Sequence, residues 1–166
     1  MIEVREGNVV DALFNKEVDY IMHVVNCQGK MASGVAKEIR NRVPIAYTMY
    51  MNLYNFRKEH NKTSVGECSD GGKVLNLHAQ EYYGYDNKRY LNYGALAKSL
   101  VSAYKQVYSS TGCSTDFMGS ETIRKPVVIG IPFHMGSDRA GADWGIVCEI
   151  LEALTLKDIT IIAYKL

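Results

Sequence analysis

His23-Val24-Val25-Asn26-Cys27-Gln28-Gly29-Lys30-Met31-Ala32-Ser33-Gly34-Val35-Ala36 is the stretch whose reading decides the fold. The apolar run Tyr20–Val25 breaks at Asn26 into a short, polar, glycine-bearing turn. Helical spacing then takes over along Gly34-Val35-Ala36-Lys37-Glu38-Ile39-Arg40. The order is buried strand, tight loop, helix start. Such a unit presents backbone N–H groups and a helix N-terminus to an anion lying above the strand end. An ordinary strand–helix connection reads the same way on this segment alone.

A second loop of the same design follows a hundred residues later. Val127-Val128-Ile129-Gly130-Ile131-Pro132 feeds the turn Phe133-His134-Met135-Gly136-Ser137-Asp138-Arg139-Ala140-Gly141. Trp144, Val147, Leu151 and Leu154 then mark one face of a helix. Gly136 and Gly141 permit backbone angles and close approaches that a side chain blocks. Two such loops at the carboxyl ends of strands make the cleft that open α/β sheets use for nucleotides. Neither loop is the dinucleotide fingerprint G-x-G-x-x-G, and no Gly-Lys-Ser/Thr of a Walker A loop occurs.

Composition narrows the function classes. A chain of 166 residues suits one domain, residues 1–166, that removes roughly 70% of its unfolded surface from water. Nineteen Lys and Arg stand against 18 Asp and Glu, scattered rather than grouped, so no footprint for duplex nucleic acid is visible. No apolar run reaches the ~20 residues that span a bilayer, and the N-terminus lacks a signal-peptide pattern. Cys27, Cys68, Cys113 and Cys148 include no C-x-x-C pair, and His23, His60, His78 and His134 form no ligand-spaced cluster with them. A cytoplasmic, thiol-reduced monomer is expected, with no metal, no cofactor and a small molecule as its partner.

Strand and helix patterns alternate along the chain. Strands are expected at Ile2–Arg5, Asp19–Val25, Lys73–Leu77, Val127–Pro132 and Ile159–Tyr164. Helices are expected at Ser33–Arg42 (stopped by Pro44), Ala46–Arg57, Tyr93–Tyr108 and Ala142–Leu154. Gly71-Gly72 reads as a turn, and Ser109–Lys125 as a surface loop rich in Ser, Thr and Gly. The alternation argues for a mostly parallel sheet covered by helices on both faces.

These residues resemble a known family. His23–Ala36 looks like the first ADP-ribose-binding loop of macrodomains, whose most similar branch carries V-N-C-Q-G-x-M-G-x-G-I-A. Asn76-Leu77-His78-Ala79-Gln80, followed by Tyr85, Arg89-Tyr90 and Tyr93, is similar to that branch's N-L-x-x-Q…R-Y-x-x-Y. Ile131–Trp144 is similar, without a gap, to I-P-x-x-I-G-C-G-L-A-G-G-D-W. Gly7-Asn8-Val9 stands where macrodomains usually carry Gly-Asp-Ile or Gly-Asp-Leu. The branch includes ADP-ribose 1″-phosphate phosphatases of microbes and phages. The resemblance implies a three-layer α/β/α sandwich around a mixed, mostly parallel six-stranded sheet.

It also implies a site built from residues 7–9, 26–36 and 133–143. Asn8 replaces the Asp that accepts a bond from the adenine amino group, keeping an amide acceptor without the charge, and Val9 follows it. Asn26, Gln28, Ser33, Gly34 and Val35 fall on the loop that holds the distal ribose. Phe133, Met135, Gly136, Ser137, Asp138, Arg139, Ala140 and Gly141 fall on the loop that wraps the pyrophosphate. Asp138 and Arg139 depart from the family's Gly and Leu. An acid there opposes a pyrophosphate, whereas an arginine grips a phosphate bidentately.

Chemistry divides the branch. Relatives that remove ADP-ribose from proteins or DNA use a lysine where this chain has Gln80, and a glutamine amide is no nucleophile. Their partner aspartate falls near Ala140, and the second Asn of the deacylating N-A-A-N loop falls at Gly29. The phosphatase branch uses a His on the first strand and an Asp on the second loop, positions matched by His23 and Asp143. Plainer roles stand beside these. A histidine in an apolar strand is more often a hydrogen-bonded core residue, and Asp143 before Trp144 suits a helix N-terminus. Cys27 reads as a small buried thiol, and Tyr82, Tyr83 and Tyr85 as either adenine stackers or edge cover. Two classes remain: an ADP-ribose 1″-phosphate phosphatase, and a binder or sponge of ADP-ribose or a related signal. A glycohydrolase ranks below both.

Overall fold

The computed structural model describes residues 2–84, 88–111, 125–138 and 140–166, with the backbone alone at 114–115 and 121–122. Its elements run β1 (Glu3–Glu6), α1 (Val9–Phe14), β2 (Tyr20–Asn26), α2 (Gly34–Arg42), α3 (Pro44–Glu59), β3 (Cys68–Gly71) and β4 (Val74–Gln80). Then come α4 (Tyr93–Thr111), β5 (Ser114–Thr115), β6 (Glu121–Thr122), β7 (Val127–Pro132), α5 (Trp144–Leu154) and β8 (Ile159–Lys165).

Six strands form one sheet in the order β1-β8-β7-β2-β4-β3, every neighbouring pair parallel except the antiparallel β3–β4. Strands β2 and β7 lie in the middle, which explains why both read as continuous apolar runs: each is covered on two faces. Side chains alternate between those faces. Ile21 and Val25 of β2 join Val9, Val10, Ile39, Ala46 and Tyr50 in a core under α1, α2 and α3. Tyr20 and Met22 join Leu96, Leu100, Val107, Val147 and Leu151 in a second core under α4 and α5. The architecture is the three-layer α/β/α sandwich with a mixed, mostly parallel sheet expected from the sequence.

Three details differ from the sequence reading. Helix α1 holds only six residues, too few to show a helical period; Asn8 starts it, its Oδ1 accepting from Val10 N and Asp11 N at 2.8 and 3.0 Å. Strand β3 is a four-residue edge, Cys-Ser-Asp-Gly, with little strand propensity of its own. The stretch expected to be a loop, Ser109–Lys125, begins inside α4, which runs to Thr111, and contains the paired two-residue strands β5 and β6. Cys113 and Tyr85 lie outside the described residues.

Candidate ligand-binding site

A cavity of about 680 Å³ opens above the carboxyl ends of β2 and β7. That is ample for a drug-sized ligand or a nucleotide sugar, since such sites span roughly 300–1,000 Å³. Both loops singled out in the sequence form its walls. Asn26, Lys30, Ser33, Gly34 and Val35 come from the first; Phe133, His134, Met135, Gly136, Asp138 and Ala140 from the second.

The first loop is clipped by one asparagine. Asn26 Nδ2 donates to Lys30 O at 2.8 Å, and its Oδ1 accepts from Gln28 N at 3.0 Å. The Tyr50 hydroxyl lies 2.8 Å from Asn26 O and 2.9 Å from Asn26 Oδ1, and accepts from Lys30 N at 3.0 Å. Burial pushes the Tyr50 hydroxyl well above the usual tyrosine range, so it stays a proton donor. The clip aims the start of α2 at the cavity. Ser33 occupies the N-cap without a side-chain hydrogen bond, and no acid sits in the first turn. The helix therefore offers uncapped N–H groups and a positive dipole end to whatever fills the cavity.

The second loop is shaped by glycines and by a strained histidine. Gly136 and Gly141 have φ of +76° and +70°, and a Cβ on Gly141 would collide with the Lys88 carbonyl. Ala140 O receives Tyr90 N at 2.7 Å and Leu91 N at 3.1 Å, fastening the loop to the segment before α4. His134 sits at φ +61°, stacked on Phe133 at 3.9 Å between ring centres. Its Nδ1 lies 3.5 Å from Asp138 Oδ1.

Beneath the cavity runs a buried polar chain. His23 on β2, 2% exposed, pairs in register with Asn76 on β4, and His23 Nε2 lies 2.6 Å from Asn76 Oδ1. Asn76 Nδ2 donates to Ala46 O at 3.1 Å and to Ser69 Oγ at 3.2 Å. Ser69 Oγ meets His78 Nε2 at 2.8 Å, and His78 Nδ1 meets Ser64 Oγ at 2.9 Å. Burial, partly opposed by the bond to Asn76, lowers His23 to about 4. Burial, with His23 nearby, lowers His78 to about 3. Both rings are neutral at physiological pH. Burial also raises the Cys27 thiol, which fits the small buried thiol expected there.

The cavity unites most of the residues expected to bind: Asn8, Val9, Asn26, Ser33, Gly34, Val35, Phe133, Met135, Gly136, Asp138 and Ala140, with His23 at its floor. Gln28, Ser137 and Gly141 lie outside its lining. Gln28 turns away to bond Glu81 O at 3.0 Å, and Ser137 Oγ folds back onto His134 O at 2.9 Å. Arg139 lies outside the described residues. His23 and Asp143 are not brought together at the cavity: Asp143 is absent from its lining and serves as N-cap of α5, its Oδ1 accepting from Ile146 N at 3.2 Å.

Glu38, which no sequence motif marks, also lines the cavity. Arg42 Nη1 donates to its Oε2 at 2.9 Å, and Asn8 Nδ2 reaches both of its oxygens. Its only sequence signal was a charge on the first turns of a helix already assigned to the site. Among the described residues no cluster of three His, Cys, Asp or Glu side chains is arranged to hold a metal, and no helix is long and apolar enough to cross a membrane.

No protein-family model matches the chain, and no curated protein matches it either. Solved structures do. A Bacteroides thetaiotaomicron protein of unknown function superposes with a TM-score of 0.72 at 17% identity, covering 100% of this chain and 98% of that one. The macrodomain of Thermus aquaticus DarG gives 0.67 at 19% identity over 99% and 97%. Thermosipho africanus DarTG, solved in complex with ADP-ribose, gives 0.61 at 15% identity over 98% of this chain and 41% of its own. At these identities the likeness speaks for architecture: the chain has the macrodomain fold.

Proposed function

We propose that the cavity binds ADP-ribose and that the protein hydrolyses ADP-ribose 1″-phosphate to ADP-ribose and phosphate. The observation that carries the reading is the uncapped, acid-free N-terminus of α2 facing a glycine-shaped second loop across one cavity. Backbone N–H groups and a dipole end suit the phosphates of a nucleotide sugar. The glutamine at the place of the relatives' lysine supports phosphatase over glycohydrolase chemistry: Gln80 lines the cavity with its Nε2 bonded to Tyr82 O at 2.9 Å, and Ala140 is inert.

In this reading His23 faces the substrate from the cavity floor, and donors on the two loops absorb charge on the phosphate oxygens. Asp143 supports the second loop through its cap on α5. That engagement also favours a second reading, a binder of ADP-ribose without turnover. Calorimetry with ADP-ribose and phosphate release from ADP-ribose 1″-phosphate separate them. Binding with release supports the phosphatase, and binding without release the sponge. Absence of binding at millimolar ADP-ribose overturns both.

A further inference from the structure

We propose that Asn76 is the positioning residue of the cavity floor: it locks His23 in the Nε2–H tautomer, so that the Nδ1 lone pair is offered as an acceptor to a hydroxyl of the bound ligand. The ligand half of this inference rests on the ADP-ribose reading; the tautomer half stands on the protein alone.

The argument starts from a group with no choice. Ala46 O is a backbone carbonyl and can only accept, so the Asn76 atom 3.1 Å away is its amide nitrogen. That fixes the amide, and the atom 2.6 Å from His23 Nε2 is then the oxygen. An oxygen at that distance requires the proton on Nε2, because two acceptors do not approach so closely. The neutral ring carries one proton, so Nδ1 keeps its lone pair.

Among the described residues Nδ1 has no hydrogen-bond partner, yet it is not one of the sealed, orphaned polar atoms, which are Tyr20 OH and Gln106 Oε1. It is the ring nitrogen left over on a residue that lines the cavity. The rest of the chain accommodates the arrangement. Asn76 Nδ2 spends its second hydrogen on Ser69 Oγ, whose own proton is then free to go to His78 Nε2, with the His78 proton going to Ser64 Oγ. Every link then has one donor and one acceptor, and reversing the His23 tautomer breaks the first of them.

The test is a long-range ¹H–¹⁵N spectrum of the imidazoles in the labelled wild-type protein, with His23 assigned by comparison with His23→Gln. The expected result is a protonated Nε2 and a bare Nδ1 in the ligand-free protein. The Nδ1 resonance should move on saturation with ADP-ribose, while those of the remote His60 stay put. A Nδ1–H tautomer overturns the proposal. So does calorimetric saturation with an unmoved Nδ1. No heat with ADP-ribose refutes the ligand assignment of the site, while the ligand-free spectrum still decides the role of Asn76.

Asn76→Asp retains an acceptor for Nε2–H, though it loses the donor to Ala46 O, and should keep Nε2 protonated. Asn76→Leu removes it and should yield a mixture, with ADP-ribose binding weakened about tenfold, the worth of one hydrogen bond. Equal spectra for the two variants would contradict the assignment. Should either variant fail to fold, the wild-type spectrum alone carries the decision.

Discussion

Asn8 and Glu38 are bonded side chain to side chain at the cavity wall, with Asn8 Nδ2 3.0 and 3.1 Å from the two carboxylate oxygens. Asn8 Oδ1 is meanwhile spent on Val10 N and Asp11 N at the start of α1. The amide is thus occupied at both ends, and the acidic group at this wall of the cavity is Glu38, thirty residues further along the chain.

This pairing makes the familiar acid at position 8 unwelcome here. Asn8→Asp preserves the cap, because aspartate and asparagine are equally good N-caps, but sets two carboxylates about 3 Å apart. One of them must then titrate above its unfolded value, so the added cost is absent at pH 4 and appears as pH rises through the folded pKa. With Arg42 and solvent screening the pair, we expect a loss of about 1 kcal/mol at pH 7. Urea denaturation at the two pH values measures it, and a variant equally stable relative to wild type at both would contradict the repulsion.

The two buried histidines predict acid sensitivity. His23 and His78 are lowered to about 4 and about 3, whereas an unfolded histidine titrates near about 6.5. Above that value neither state gains protons and the pair contributes no pH dependence. Below it the unfolded chain binds up to two protons that the folded protein refuses. Stability should therefore fall from about pH 6.5 toward pH 4, and replacing His78 with Asn should reduce that slope by up to one proton. Stability flat between pH 7 and pH 5 would count against both burials.

Gly34 offers a direct block of the cavity. A Cβ built there meets nothing within 4 Å, and the residue has φ +58°. Gly34→Glu should therefore fold, with a backbone penalty of about 1–2 kcal/mol, while its carboxylate fills the cavity and repels phosphate at the α2 N-terminus. Loss of ADP-ribose binding in calorimetry with a retained cooperative melt is the expected pair of results. Normal binding would remove the α2 end from the site.

How much of this was legible in the sequence depended on element length and on sequence distance. Strands β2 and β7 and helices α2 to α5 were readable because their apolar patterns report burial directly. Helix α1 and strand β3 were not: six and four residues are too few to show a period. Gly71-Gly72 reads as a turn, and in the fold it is the hinge of a hairpin. Its neighbour Lys73 shares the positive φ of Gly72, at 67° and 61°, the pattern of a tight two-residue connection between β3 and β4. In the site, the glycine loops were visible as motifs. The Asn8–Glu38 pair and the His23–Asn76 link cross 30 and 53 positions, and no local pattern announces them. Asn76 and His78 did leave a trace, as two polar residues alternating with Leu75, Leu77 and Ala79 on a strand: one face of that strand carries a polar line.

Asp143 and His23 separate by experiment because the structure gives them different work. The sequence alone allowed Asp143 two roles, since an acid before a helix suits both a cap and a catalyst. In the fold its Oδ1 accepts from Ile146 N, and its own N–H donates to Tyr93 OH at 3.0 Å. Asp143→Ala should cost about 1 kcal/mol of stability, and Asp143→Ser should recover most of it, as N-caps do. Phosphate release from the folded fraction of either variant should stay close to wild type. His23→Ala removes a group at the cavity floor, so its folded fraction should lose turnover by about 10²–10⁴-fold if the ring assists proton transfer. Melting temperature and phosphate release measured on the same preparations distinguish the cases. A folded Asp143→Ser variant that releases no phosphate would place Asp143 in the chemical step after all, and would mean that ligand binding draws its carboxylate off the helix.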